Sequence, residues 1–320
     1  MKYLKILMLF VAAIAFTACD DDEPSGKSIF DTTPPERNEF DTWILNTFTK
    51  PYNITLLYRY QDSETNNSYN VVPPTVEKAK AMANLMKYMW LDAYNELMDD
   101  DGLFMKQYAF REFLFIGSHQ YNSNGSRVLG TAEGGLKVTL FGLNHLDLDN
   151  LRIVQDQPFP DHDDDPMDLN YYFFHTMHHE FCHILTQKKD YTTEFRTISP
   201  EWQRMGDWVN VRDYQAPKWG FVTGYATSEF NEDFAEIYST YVTITPQAFQ
   251  EIFNVAQKDI DDKVEGANPK AILQLQQKVD IVKDYMKTSW GIDMDKLRDI
   301  VLRRGSEIMQ WDRERLLTLN

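Results

Sequence analysis

The sequence predicts an α+β fold. Up to about residue 190, short runs rich in β-branched and aromatic residues accompany one long amphipathic helix; from 191 to 320 helical spacing dominates. No internal repeat and no composition break after residue 36 calls for a second domain, so 36–320 reads as one domain, with a sheet-and-helix part to about 190 and a helical part beyond. Hydrophobic residues make up 43% and charged residues 25% of the 320, a globular composition that excludes disorder of the whole chain. The 32 Lys and Arg stand against 49 Asp and Glu, a net charge of −17. Nucleic acid is excluded as a partner on that balance, because a duplex binder needs surplus bases to neutralise phosphates.

The first element is an address. Lys2 and Lys5 precede an apolar run from Ile6 to Phe16, and small residues then lead into Cys19. The run is too short to span a bilayer, which takes ~20 apolar residues. It reads as a signal peptide over 1–18 whose cleavage leaves Cys19 as an acylated first residue, so that lipid anchors the protein to a membrane. Residues 19–35 (Asp20, Asp21, Asp22 and Glu23, then Ser, Gly, Thr and Pro) have the composition of a flexible tether. Cys182 remains as the free thiol, which leaves no disulfide framework.

Glu36 to Thr49 has helical spacing, and Tyr52 to Tyr60 reads as a strand, followed by a polar loop to Asn70. Thr75 caps a long helix from Val76 to Met98, in which Met82, Leu85, Met86, Met89 and Trp90 form a core stripe. Tyr108–Ser118, Arg127–Leu129 and Leu136–Leu143 read as strands, with a turn at Gly134-Gly135. Asp168 caps a helix from Leu169 to Gln187, which contains neither Pro nor Gly. Further helices are predicted up to about Tyr241 and over Lys270–Thr288, Met294–Arg304 and Ser306–Leu317. The acidic run at 161–165 lacks the ligand spacing and glycine of a calcium loop and reads as solvated.

The chemistry lies in residues 175–185, HTMHHEFCHIL, which contain His179-Glu180-Phe181-Cys182-His183. Residues four apart share one face of a helix, so the imidazoles of His179 and His183 can converge on one zinc ion. Glu180 then projects beside the metal, where it can act as general base. A chance HExxH in a chain of this length has a probability of about one per cent. His175 lies on the same face, but a further turn along the axis is ~6 Å away, which tetrahedral coordination disfavours. Cys182 faces the packing side, and His178 points elsewhere. The third ligand is expected from a second helix: within YATSEFNEDFAE (225–236), Glu232 and Glu236 are four apart, and either can face the metal. Asp233 reads as a solvated or capping group. Gly220 and Gly224 suggest a mobile loop ahead of this helix.

The pairing of HEFCH with a tyrosine seven residues before EDFAE resembles the gluzincins, and in particular the active-site helix of the lethal-factor type of zinc protease. With the lipidated start and acidic run, it resembles a family of bacterial zinc-binding metallopeptidase lipoproteins, also called substrate import-associated zinc metallohydrolase lipoproteins. The resemblance implies a zincin-like fold and one Zn2+ held by His179, His183 and Glu232. It implies Glu180 as base and proton shuttle and Tyr225 as donor to the oxyanion. Glu236 is implied behind the ligands, accepting a hydrogen bond from a ligand histidine. It also implies a peptide or protein substrate, an outer-membrane lipoprotein exposed on the cell surface, and an association with a TonB-dependent importer. In such folds an exposed strand before the metal helix binds extended peptide; Arg127–Leu129 or Leu136–Leu143 is the expected strand. The rival expectation is a non-catalytic surface lipoprotein that binds peptide or glycan for an importer.

Overall fold

The computed structural model describes residues 36–59, 70–122, 127–128, 130–133, 136–161 and 166–319. The signal, Cys19, the tether, most of the polar loop, the Gly134-Gly135 turn and residues 162–165 of the acidic run lie outside the described residues. The compact unit spans Glu39–Asn320. No helix among the described residues is long and apolar enough to cross a membrane.

The fold is helix-rich with a small mixed sheet. Helix α1 (39–52) contains a π turn at Leu45–Thr49 and ends where Asn53 adopts a left-handed conformation. Strand β1 (Thr55–Leu57) pairs in parallel with β2 (Glu112–Phe115), and β2 in parallel with β6 (Lys137–Leu140). Between β2 and β6 lie β3 (Gln120–Tyr121), β4 (Arg127–Val128) and β5 (Gly130–Glu133). β5 runs antiparallel on β6 and forms one edge of the sheet, in the order β1-β2-β6-β5. β3 and β4 form a separate two-stranded ribbon.

The long helix α2 (76–98) lies where its spacing predicts. The Thr75 side chain accepts from the Lys78 N–H, and Met82, Leu85, Met86, Met89 and Trp90 are buried. The strands are shorter than predicted. Leu103–Tyr108 forms a helix, α3, leaving only Glu112–Phe115 extended from the stretch 108–118. Gly102, left-handed at φ 74°, starts that helix, which takes in Tyr108 from the predicted strand. Towards the C-terminus come α5 (Phe230–Thr243), α6 (Pro246–Asp261), α7 (Ala271–Trp290), α8 (Met294–Ile308) and α9 (Arg313–Leu317). The predicted break at residue 305 is absent, because Gly305 packs against Gln155 inside a continuous α8.

The metal-motif helix, α4 (170–188), begins with a π segment, Asn170–His175, and continues as Thr176–Lys188. Asp168 Oδ1 accepts from the Asn170 N–H at 3.0 Å, as expected of a cap. The back of α4 is fastened by aromatic packing. The Phe181 ring lies 4.9 Å from Tyr94 and 5.4 Å from Trp90, both edge-on. Cys182 is fully buried there, and burial pushes its thiol pKa up. His178, which points away from His179 and His183, belongs to the core. Its Nδ1 meets the Tyr94 hydroxyl at 2.9 Å, and burial lowers its pKa to about 3, so it is a neutral core imidazole.

Asp233 corrects the sequence reading. It is buried, and its carboxylate lies 2.7 Å from Lys278 Nζ on α7, which also caps the Gly220 carbonyl at 3.0 Å. Burial raises the Asp233 pKa to about 6 despite the lysine. The pair fastens the start of α5 to α7 at a desolvation cost its attraction barely offsets. Lys278→Met is therefore expected to destabilise the fold by about 3–5 kcal/mol, through an uncompensated buried carboxylate. Combining it with Asp233→Leu should recover most of that loss. Urea denaturation of the single and double variants measures both.

Candidate metal centre and its clefts

α4 and α5 pack against each other and bring together residues 53 apart in sequence. His179 Nε2 lies 2.9 Å from Glu232 Oε2, His183 Nε2 lies 3.1 Å from the same oxygen, and the two imidazole nitrogens are 3.0 Å apart. Three donors at tetrahedral angles around zinc, at ~2.0–2.1 Å each, would be separated by about 3.3 Å. The triangle therefore fits the ion closely, and two imidazole lone pairs facing each other require a cation or a proton between them. Burial alone would raise the Glu232 pKa, but its hydrogen bonds to His179 and His183 hold it at about 2. Burial opposes a charge on His179, but Glu232 and Glu236 push its pKa above the ordinary value.

Glu236, one turn further along α5, does not join the triangle. Its Oε1 lies 2.7 Å from His179 Nδ1 and 2.9 Å from His175 Nε2, and its Oε2 accepts from Thr223 Oγ1 at 2.5 Å. The 2.7 Å contact with His179 Nδ1 is an ion-pair approach without hydrogen-bond geometry; the negative charge there favours a proton on Nδ1 and leaves Nε2 towards Glu232 and His183. Burial works against the Glu236 charge, but His175 and His179 hold its pKa well below the ordinary range.

A second group, His175, His179 and Glu236, also has three donor atoms near one another. It draws on Nδ1 of His179, whereas the first triangle uses Nε2. A neutral imidazole offers one lone pair, so the two groups exclude each other unless the ring is fully deprotonated. The HExxH triangle has the better spacing. The His175 and His179 ring centroids are 6.2 Å apart, against 4.7 Å for His179 and His183, which is the axial offset expected from helix rise. His175 lines the cleft, and its contact with Glu236 steadies that carboxylate.

Glu180 lies beside the triangle, and burial raises its pKa, opposed by His179 and His183. Tyr225 sits on a single 3-10 turn, Tyr225–Thr227, just ahead of α5. Its ring lies 5.8 Å from His179 and 4.8 Å from Trp208. Tyr225 is 37% exposed, yet desolvation within the cleft and the nearby Glu232, Glu236 and Glu180 push the phenol pKa up, so it stays a hydrogen-bond donor. The preceding loop is tethered rather than loose. A Cβ at Gly224 would meet the Val211 carbonyl oxygen at 2.2 Å, and the Gly224 N–H donates to Asp213 at 2.8 Å. This glycine serves close approach.

Two clefts meet here. One, of about 460 Å³, extends past Val154, Pro158, Tyr171 and Ile244; the other, of about 680 Å³, extends past Asp190, Arg196 and Glu229. Gly130, His179, Glu180 and Tyr225 line both. A Cβ at Gly130 would lie 2.6 Å from Thr176 Cγ2, so the β5 backbone lies directly on the metal helix. The edge strand at the cleft is therefore β5. β6 within Leu136–Leu143 is paired on both sides, and Arg127–Val128 belongs to the ribbon.

The family model described as "Putative zinc-binding metallo-peptidase" matches residues 33–295. The chain belongs to this family. A crystal structure described in the same words, from Bacteroides caccae ATCC 43185, is similar at 33% identity with a TM-score of 0.66, covering 92% of this chain and all of the other. No curated protein matches. Within this zinc-binding metallopeptidase family, the residues missed in the sequence are Thr223, Trp208 and Asp213, which lie in irregular backbone with no periodicity to mark them. His175 carried a signal, its four-residue spacing from His179.

Two substitutions separate the two candidate groups. Glu232→Gln is expected to lose stoichiometric zinc after dialysis, whereas His175→Ala should retain one zinc per chain, as measured by elemental analysis. Glu236→Gln should weaken zinc binding about 10- to 100-fold, the usual effect of removing a carboxylate behind a ligand histidine.

Proposed function

We propose that this protein is a zinc-dependent peptidase with a zincin-like active site. The observation that carries the proposal is the convergence of His179, His183 and Glu232 beside Glu180, at the junction of two clefts. A single zinc ion in that triangle supplies Lewis acidity and lowers the pKa of water. Glu180 takes a proton from the attacking water and delivers it to the leaving amine. Burial suits it to that exchange by raising its pKa. The Tyr225 hydroxyl donates to the oxyanion as the carbonyl becomes tetrahedral. Glu236, with His175 and Thr223 behind it, keeps the His179 ring from turning.

The substrate is an extended peptide lying along the β5 edge, with side chains on either hand entering the two clefts. Glu180 is not needed to hold a metal, so its presence speaks against a site kept only for capture. The leader ending at Cys19 and the acidic residues behind it support an outer-membrane lipoprotein exposed on the cell surface. A role beside a TonB-dependent importer follows from the same resemblance.

Glu180→Gln should bind zinc normally yet lose about 10²- to 10⁴-fold in peptide turnover. Tyr225→Phe should lose about 10²-fold in kcat with little change in KM. Chelation should abolish the wild-type activity and added zinc restore it. Wild-type turnover in Glu180→Gln would overturn the mechanism.

A further inference from the structure

A donor to a developing oxyanion works only when it is held to within about 0.5 Å of its place. Tyr225 is an awkward residue to hold so closely, because it is exposed and sits on a turn of three residues. Its main chain is secured: the Tyr225 carbonyl accepts from the Ser228 N–H at 3.0 Å and from the Ser228 hydroxyl at 2.7 Å. That leaves the two side-chain torsions to be settled by what the ring touches. Its aromatic neighbours are His179, with ring centroids 5.8 Å apart, and Trp208, nearer at 4.8 Å and edge-on.

Trp208 is brought there by residues 204–213, a segment stapled to the Tyr225 turn on both sides of that residue. At one end the Arg204 N–H donates to the Thr227 carbonyl at 2.7 Å, two residues after Tyr225. At the other, Asp213 Oδ1 accepts from the Gly224 N–H at 2.8 Å, one residue before it. The Val211 carbonyl oxygen also closes on Gly224, where a Cβ would lie 2.2 Å away. Between the staples Met205 and Val209 are exposed, whereas Trp208 is half-buried and lines the 460 Å³ cleft. A residue serving only as a wall of the cleft has no need of anchors on either side of Tyr225. These anchors fix the indole relative to that one phenol.

Resting on the peptidase reading, we propose that Trp208 is a positioning residue for Tyr225: the stapled segment 204–213 sets the indole against the phenol and thereby fixes the direction in which the hydroxyl donates. The pairing acts on the transition state alone, since the oxyanion exists only there.

A double-mutant cycle in the zinc-loaded protein tests this. Trp208→Ala should lower kcat about tenfold with little change in KM, the weight of one edge-on aromatic pair, while keeping one zinc per chain. Trp208→Phe, which keeps an aromatic ring there, should recover most of that loss. Made on top of Tyr225→Phe, Trp208→Ala should cost less than about twofold, because the hydroxyl it directs is gone. Additive losses, or a raised KM at unchanged kcat, would assign Trp208 to the wall of the cleft and overturn the proposal, as would loss of zinc from Trp208→Ala. A readout without turnover separates the proposal from the peptidase reading. The crystal structure of zinc-loaded Trp208→Ala should show the Tyr225 ring rotated from its place beside His179, with the ligands His179, His183 and Glu232 unmoved. An unmoved phenol overturns the positioning role even if peptide is cleaved. A displaced phenol, in a protein whose wild type cleaves nothing, sinks the peptidase reading alone.

Discussion

Two imidazoles and a carboxylate held within 3.1 Å of one another are the constraint around which this molecule is arranged. Such a cluster is unfavourable unless a cation sits in it, so the surrounding structure has to hold it together. It does so from both sides. Phe181, Cys182 and His178 lock the back of α4 into an aromatic core, while Lys278 ties Asp233, the residue after Glu232, to α7. The ligands are therefore presented by two helices whose opposite faces cannot shift without opening the core.

Behind the triangle, Glu236 collects His179, His175 and Thr223 on one carboxylate. Its charge beside Nδ1 of His179 favours a proton there and leaves Nε2 towards Glu232 and His183. It also explains why two overlapping groups of candidate ligands occur in one place. On the proposed reading they are a ligand set and its support, sharing one ring. The Thr223 hydroxyl donates to Glu236 and accepts from the Ala226 N–H, which links this support to the tethered loop that carries Tyr225. β5 completes the arrangement by laying its backbone on the turn of α4 that carries Thr176, where Gly130 leaves room for it.

Much of the site was legible in the sequence because it is built on helices. The four-residue spacings of His179 with His183 and of Glu232 with Glu236 translate directly into shared faces, and the Thr75 and Asp168 caps mark helix starts through local chemistry. What was not legible depends on long-range packing. Asp233 looked like a surface acid because nothing nearby in sequence reveals Lys278. Thr223 and Asp213 act from irregular backbone, where periodicity has no meaning. The short strands were misjudged for the same reason: only pairing with distant partners makes β5 the edge and β6 the interior strand. The π segment at Asn170–His175, which turns into the metal helix, also has no signature in the apolar pattern.

The most direct test of the account is anomalous diffraction at the zinc absorption edge from crystals of the zinc-loaded protein. The account predicts one strong peak within about 2.0–2.2 Å of His179 Nε2, His183 Nε2 and a Glu232 oxygen, with Glu236 on the far side of the His179 ring. A peak between His175, His179 Nδ1 and Glu236, or no peak at the HExxH helix, would contradict it.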